Sequence, residues 1–254
     1  PGITSEVKTH HSNRCNEAIK KFQLSSSDLI VDIGSNDGTL LSFYKEKSFR
    51  VLGVEPTMTA QIAEKNGIET IQSFFDEKVA EKILTKFGQA KLVTATNVFA
   101  HMATMGKVTR GIKMLIQNEG YFVLENHYIL NILHDNQYDT IYHEHIRSYS
   151  LTSLIYLFEL YKMKVIDAEI VDRYGGTIRV TVTNDIGKQV SANVIKLVDN
   201  EKKMGLFENL IWKNFKKNIE KSKSDLMELA LDINSKGQRL VGKSCPGRCS
   251  TLIN

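Results

Sequence analysis

Residues 28–38 read DLIVDIGSNDG, and this stretch decides the fold class of the 254-residue chain. A short apolar run ends at a glycine, a second glycine follows four positions later, and the helix-favouring segment TLLSFYKEK comes next. An apolar run of this length, closed by glycine, is typical of a strand that is buried in a parallel sheet. The stretch therefore predicts a strand, a tight turn and a helix, which is the repeating unit of an α/β fold.

The same alternation continues along the chain. Helical segments separate the apolar runs that predict four further strands, at 49–56, 68–75, 91–101 and 120–127. Two later strands are predicted at 164–172 and 177–185, and only RYGG joins them, so they must pair antiparallel. Five parallel strands closed by an antiparallel hairpin form the plan of the Rossmann-like methyltransferases. We therefore predict an α/β fold of the class I methyltransferase type, with a mostly parallel sheet.

The character of the sequence changes after Asp185. Apolar residues recur at helical spacing from Phe207 to Ile219, and residues 238–254, QRLVGKSCPGRCSTLIN, predict another strand, loop and helix. We predict two units, a methyltransferase core at 1–185 and a helical connection with the start of a C-terminal Rossmann-like domain at 186–254. Because the chain begins without Met and stops after a strand-like run, we expect it to be a fragment.

Composition argues against several classes of protein. The 33 Lys and Arg barely exceed the 29 Asp and Glu, which falls short of a nucleic-acid-binding balance. No apolar segment approaches the roughly 20 residues that cross a bilayer. The three cysteines form neither an even set nor a CxxC pair, so we expect a reducing cytoplasm. Neither nucleic acid nor membrane is an expected partner, and the sequence is compatible with a monomer.

The loop after the first strand has the pattern of a nucleoside site. Gly34 and Gly38 allow the backbone to approach a ligand at the start of a helix, although their GxxxG spacing is not the GxGxxG of nicotinamide enzymes. Glu55 follows at the end of the second strand, where a carboxylate can bind both ribose hydroxyls. Asp32 and Asp37 would repel a pyrophosphate but suit an ammonium or sulfonium, so S-adenosylmethionine fits better than a dinucleotide. The alternative is a tight turn beside an unrelated surface glutamate.

Further residues of this site are expected at the carboxyl ends of the third and fourth strands, where ligands of parallel sheets lie. Phe75 and Asp76 are expected beside an adenine, and the residues after the fourth strand beside the methionine part. The predicted cofactor-binding set comprises Asp32, Gly34, Ser35, Asn36, Asp37, Gly38, Glu55, Pro56, Phe75, Asn97, Ala100 and His101.

A second polar cluster occupies residues 138–150, YDTIYHEHIRSYS. So many groups that donate, accept or carry protons indicate proton transfer. A metal site at His143, Glu144 and His145 is a second interpretation, but adjacent residues rarely face one ion and the HExxH spacing is absent. A polar loop that makes caps and surface hydrogen bonds is the third. We predict no metal site.

Five runs in order, VDIGSNDGTLL, VLGVEP, TATNVFAHM, YDTIYHEH and YGGTIRV, resemble the S-adenosylmethionine-dependent sugar C-methyltransferases of deoxysugar pathways. The resemblance extends from about Ser5 to Asn254. It implies an enzyme that methylates carbon 3 of a nucleotide-linked 4-keto-deoxysugar through an enolate. It also implies a zinc-binding N-terminal domain, whose cysteine pattern does not occur in this sequence, so no zinc is expected here.

The resemblance assigns roles within the second cluster. His145 is the implied base, and Glu144 and Tyr142 are implied to orient it or to bind the sugar. Arg179 sits where it can pair with a phosphate, although an arginine at a strand start is more often a surface charge. Other methyltransferase chemistry on oxygen or nitrogen, and a non-catalytic binding module, are the alternatives. The predicted substrate-binding residues are His143, Asn126, Tyr174 and Arg179.

Overall fold

The computed structural model describes residues 5–173, 175–243 and 246–253, and a single seven-stranded sheet forms the centre of this part of the chain. The strands are β1 (Leu29–Ile33), β2 (Arg50–Val54), β3 (Thr70–Ile71), β4 (Ala90–Thr96), β5 (Ile116–His127), β6 (Lys164–Val171) and β7 (Thr177–Thr183). Their order across the sheet is β3-β2-β1-β4-β5-β7-β6. β7 is antiparallel to β5 and β6, and the other neighbours are parallel. The predicted strand plan is confirmed.

Helices connect the strands and cover both faces of the sheet. They are α1 (Ser5–Lys21), α2 (Thr39–Lys45), α3 (Ala60–Lys65), α4 (Glu77–Phe87), α5 (Met105–Leu115), α6 (Ile129–His134), α7 (Leu151–Leu160), α8 (Ala192–Lys203), α9 (Asn209–Ser235) and α10 (Cys249–Ile253). Short 3-10 helices lie at Phe99–His101 and Tyr138–Thr140. None of the helices in the described ranges is long and apolar enough to cross a membrane.

The core lies in two layers because successive residues of a strand face opposite sides of the sheet. On β5, Phe122 and Leu124 pack into the larger layer, with side chains of α4, α5 and α7. Val123 packs into the other layer, with Cys15 of α1 and Tyr44 of α2. β1 is buried at every position, as expected for the central strand of a sheet that is covered on both faces.

Two predicted strands are shorter than expected. β3 covers only two residues of the predicted 68–75, because the chain turns directly after it, where the amide of Ser73 donates to the carbonyl of Ile71 (3.0 Å). β4 ends at Thr96 because Asn97 adopts a left-handed backbone conformation (φ 54°), which no strand accommodates. In both places the chain leaves the sheet early to form a loop at its carboxyl edge.

Two further segments differ from the sequence prediction. α1 was not predicted, since it has no continuous apolar stripe and buries only Arg14 and Cys15 fully. The prediction of a strand at the start of 238–254 is wrong for residues 238–243, which form no strand. No strand in the described ranges pairs with them, and an unpaired extended segment has no ladder to stabilise it. The predicted helix near the end of that segment is present as α10.

Candidate active site

A cavity of about 860 Å³ opens at the carboxyl ends of β1, β2 and β4. The loops after these strands form most of its wall, and α1 forms another part. Gly38 and Ala100, two of the predicted cofactor residues, do not line it. The remaining predicted residues do, namely Asp32, Gly34, Ser35, Asn36, Asp37, Glu55, Pro56, Phe75, Asn97 and His101.

The glycine loop takes its shape from two left-handed positions. Gly34 has φ 74° and Gly38 has φ 78°, which strain any residue with a side chain. A Cβ atom at Gly34 would also collide with Val98, in the loop after β4. At Gly38 it would lie 2.9 Å from Ile68. The two glycines therefore hold two strand-end loops close together, and Gly38 acts through packing, away from the cavity wall.

Glu55 joins the loops after β1 and β2. It is 6 % exposed, and its Oε1 accepts hydrogen bonds from the amide (2.9 Å) and the hydroxyl (2.6 Å) of Thr57. Its Oε2 accepts one from the amide of Asn36 (3.1 Å). These bonds fix the carboxylate at the cavity wall. Since a carboxylate oxygen accepts two hydrogen bonds, Oε2 has capacity for a ligand hydroxyl.

Buried polar atoms at the wall fit a ligand that carries donors. Within the described ranges, Ser35 Oγ, Asn36 Oδ1 and Asn97 Oδ1 have no hydrogen-bond partner. Leaving such atoms unpaired costs free energy, so a polar ligand that reaches them is favoured. These atoms, together with the Glu55 carboxylate at the end of β2, fit a nucleoside with an attached amino-acid chain.

Two acidic residues of the wall are tied to the protein in different ways. Asp32 is buried and accepts a hydrogen bond from the hydroxyl of Thr94 (2.6 Å). Burial raises the pKa of Asp32 to about 6, although the bond from Thr94 opposes this shift. A nearby cation would restore its charge. Asp37 accepts hydrogen bonds from the amide (3.2 Å) and hydroxyl (2.6 Å) of Thr39, and so stabilises the start of α2.

Aromatic side chains mark the end of the cavity that follows β3. Phe75 is buried against the core, and Phe74, which the sequence analysis missed, is 81 % exposed while also lining the cavity. Asp76, expected to contact an adenine, instead caps α4 by accepting from the amide of Val79 (3.0 Å) and does not line the cavity. Adjacent Phe residues directly after a strand end were the signal for Phe74.

His145 lies in a cluster of aromatic rings beside the cavity. Its ring centroid is 4.8 Å from that of His101, which lines the cavity, and 5.3 Å from that of His127. The ring centroid of Tyr142 lies 4.5 Å from that of His145. Rings from the loop after β4, from the end of β5 and from the YHEH segment thus meet at one place, which spacing along the sequence did not reveal.

One hydrogen bond determines which nitrogen of His145 carries the proton. Nδ1 lies 2.8 Å from the carbonyl oxygen of Thr140. Because a carbonyl can only accept, Nδ1 donates, and in the neutral ring Nε2 has the lone pair. Burial lowers the pKa of His145, and the bond to Thr140 opposes this. The ring is therefore neutral near pH 7 and able to accept a proton at Nε2.

The other residues of YHEH differ in position. Glu144 lines the cavity and accepts a hydrogen bond from the Tyr142 hydroxyl (3.3 Å). Burial raises the pKa of Tyr142, and Glu144 adds to the shift. The side chain of His143 is 75 % exposed and does not line the cavity. In the described part of the chain, no group of three or more His, Cys, Asp or Glu side chains is arranged to hold a metal ion.

The start of α10 packs against the same segment. Arg248 forms an ion pair with Asp139 (2.8 Å), and a Cβ atom at Gly247 would lie 3.1 Å from the Tyr142 ring. Burial lowers the pKa of His127 to about 4, with contributions from His145 and Arg248. Arg248 therefore brings positive charge to the cluster of rings from more than 100 positions away in the sequence, which no local pattern indicated.

The predicted substrate residues are not brought together. Arg179 pairs with Glu125 (2.7 Å), Glu169 (3.0 Å) and Glu17 (3.3 Å) and does not line the cavity, so its guanidinium is committed within the protein. Asn126 is 1 % exposed and also lies off the cavity wall. Tyr174 lies outside the described residues.

The sheet order and the strand-end cavity together define a Rossmann-like, class I methyltransferase fold. Residues 8–168 match the methyltransferase domain family, and the chain belongs to that family. Residues 172–254 match the C-methyltransferase C-terminal domain. C-methyltransferase NovU from Streptomyces niveus is 32% identical over 237 residues, which are 92% of this chain and 56% of that relative. The chain thus spans about half the length of NovU.

Solved structures share the fold at low sequence identity. A Pyrococcus horikoshii protein has a TM-score of 0.57 at 13% identity, with 71% of this chain and 92% of that one covered. An S-adenosylmethionine-dependent methyltransferase from Clostridium acetobutylicum has a TM-score of 0.55 at 12% identity. The match covers 70% of this chain and 92% of that one. Magnesium protoporphyrin IX methyltransferase from Synechocystis, solved with bound SAH, has a TM-score of 0.53 at 10% identity. The match covers 69% of this chain and 82% of that one.

Proposed function

We propose that the chain forms the catalytic part of an S-adenosylmethionine-dependent methyltransferase that acts on carbon 3 of a nucleotide-linked 4-keto-deoxysugar. The family match and the C-methyltransferase relative support methyl transfer to carbon. The wall of the cavity, with Glu55 held at the end of β2 and a glycine loop after β1, supports a nucleoside ligand. The sugar is proposed from the order of the five sequence runs.

The observation that carries the proposal is the bond between His145 Nδ1 and the carbonyl oxygen of Thr140 (2.8 Å). It leaves the basic Nε2 on a half-buried, neutral ring that contacts His101 of the cavity wall. A base of this kind is needed where a proton must be taken from carbon, because such protons are acidic only next to a carbonyl.

S-adenosylmethionine, when bound, supplies an electrophilic methyl group. His145 Nε2 would take the proton from carbon 3, which would leave an enolate whose carbon is the nucleophile for that methyl group. The proton stays on His145 until solvent removes it. Tyr142, beside His145, offers a hydroxyl to the enolate oxygen, where negative charge develops. In the structure that hydroxyl donates to Glu144 (3.3 Å), and it must leave this bond to donate to the enolate oxygen.

Proton exchange tests the carbon chemistry directly. In deuterium oxide without S-adenosylmethionine, the wild-type protein is expected to exchange the carbon 3 proton of a nucleotide-linked 4-keto-deoxysugar. His145→Ala should slow this exchange by about 100-fold or more, the usual contribution of a general base. His143→Ala is the control, since that side chain is exposed, and should keep most of the rate. Methyl transfer to oxygen or nitrogen without any exchange would refute the proposal.

A further inference from the structure

The first helix reaches the cavity through two residues four positions apart. Val7 and His11 lie on one face of α1, and both line the cavity. Arg14 fixes this end of the helix, since its guanidinium donates to the hydroxyl of Thr96 at the end of β4 (2.8 Å) and pairs with Glu125 (3.1 Å). α1 is therefore held across the cavity's β4 side.

His11 brings an uncommitted polar group to this wall. Its Nδ1 is buried and has no hydrogen-bond partner within the described ranges. Burial lowers its pKa to about 4, and the positive charges of Arg14 and Arg173 add to the shift. Arg173 also lines the cavity. Arg173 adds positive potential at the cavity wall, which favours an anionic ligand group, whereas the ion pair with Glu125 offsets the charge of Arg14.

The two ends of the cavity differ in chemistry, and this fixes how the proposed cofactor lies in it. Phe74 and Phe75, after β3, suit the adenine, and Glu55, after β2, suits the ribose. The amino-acid part of the cofactor must then extend toward β4. Asp32 lines the cavity at this end and can face an ammonium group. A carboxylate at this end meets α1.

Resting on the proposed function, we propose that His11 donates a hydrogen bond to the carboxylate of the cofactor's amino-acid part, with Arg173 of the cavity wall supplying positive potential near it. His11 is thus a binding residue for an α-amino-acid carboxylate. It takes no part in the proton transfer at His145.

Two ligands that differ only in this part of the molecule test the proposal. S-adenosylhomocysteine has the amino-acid part, and 5′-methylthioadenosine has the same nucleoside and thioether without it. By calorimetry, His11→Leu, which has no hydrogen-bond donor, should weaken S-adenosylhomocysteine about tenfold, the loss of one hydrogen bond to a charged group. Its affinity for 5′-methylthioadenosine should not change, which also shows that the variant is folded. His11→Lys, which carries a permanent charge, should bind S-adenosylhomocysteine at least as well as the wild type.

Asn13→Ala is the control, because Asn13 is exposed on α1 and does not line the cavity. It should preserve the affinities for both ligands. Equal weakening of both ligands by His11→Leu, or no weakening of S-adenosylhomocysteine, would overturn the carboxylate role. If the wild-type protein bound neither ligand, the proposed cofactor itself would be overturned, and the role of His11 with it.

Discussion

His145 is positioned by a main-chain atom, so its proton-accepting nitrogen does not depend on the charge of a partner. A carboxylate in the place of the Thr140 carbonyl would raise the pKa of the ring, whereas burial here lowers it. The arrangement suits a base that must be unprotonated before the substrate arrives.

The pH dependence of proton exchange follows from this shift. The neutral ring is the active form, so the rate should fall as the pH falls through the pKa of His145, and should be level above it. Because burial lowers that pKa, the midpoint should lie below the ordinary value of 6.5. A profile of exchange rate from pH 4.5 to 8.5, taken with His143→Gln for comparison, measures it. A midpoint above 6.5 would show that the ring is not buried as described.

At the level of single residues, the sequence predicted the residues of the cavity wall that lie at strand ends. It missed the residues that reach the site only through the packing of distant helices. Gly34 and Glu55 follow predicted strands directly, and parallel strands bring their carboxyl ends to one edge. His11 and Arg248 reach the site only because α1 and α10 pack where they do. Arg179 was expected to bind phosphate, but the pairing of β7 with β5 and β6 places it among carboxylates instead.

Among the helices, α7 depends on a carboxylate from α8. Glu201 is fully buried and accepts hydrogen bonds from the amides of Leu151 (2.5 Å) and Thr152 (3.0 Å) at the first turn of α7. It also accepts from the hydroxyls of Thr152 (2.5 Å) and Tyr128 (2.8 Å). A negative charge is favoured at the N-terminus of a helix, where the amides have no partner within the helix.

Replacing Glu201 by glutamine removes the charge and leaves one oxygen to serve four donors. We expect Glu201→Gln to reduce the free energy of unfolding by about 3 kcal/mol, the range for disrupting a buried charged network. Urea unfolding followed by circular dichroism measures this. Glu159→Gln, at an exposed position on α7, is the control and should change stability by less than about 0.5 kcal/mol. Equal effects of the two substitutions would contradict the role of Glu201.

At the level of helices and strands, the sequence predicted the helices that have apolar stripes and the strands that are buried on both faces. It missed α1, whose buried face is made partly of Arg14. An arginine can occupy such a face only because Glu125, on a strand more than 100 residues away, neutralises it. Propensity and periodicity contain no information about that pairing.

Across the whole molecule, Glu125 connects α1 to the antiparallel end of the sheet. It is 2 % exposed and pairs with Arg14 (3.1 Å) and with Arg179 of β7 (2.7 Å). Although burial opposes it, these arginines and His10 hold the pKa of Glu125 well below its usual range. The ionised form is thus the one that the folded protein stabilises.

Glu125→Gln should destabilise the protein by about 3 kcal/mol at pH 7, because the buried guanidinium of Arg14 loses its counter-charge, while Arg179 keeps Glu169 and Glu17. A depressed pKa contributes stability that is complete above the unfolded value of about 4.5 and is lost as the pH falls through the folded value. The difference from wild type should therefore shrink below pH 4.5. Thermal unfolding at pH 7 and pH 3.5 measures both effects. Glu119→Gln, on the same strand but exposed, should show neither.

The hydrogen bonds of Glu201 bear on how chimaeras of this protein should be built. A junction at residue 185, directly after the hairpin, would pair the α7 of one parent with the α8 of another and separate Glu201 from its four donors. It would also exchange Val194, Leu206 and Phe215, which pack into the larger core layer. A junction near Gly237, after α9 ends and where a Cβ atom would meet no neighbour, keeps these contacts within one parent. A segment exchanged there leaves the core unaltered, but it must keep the ion pair of Arg248 with Asp139 and the close packing of Gly247 on Tyr142.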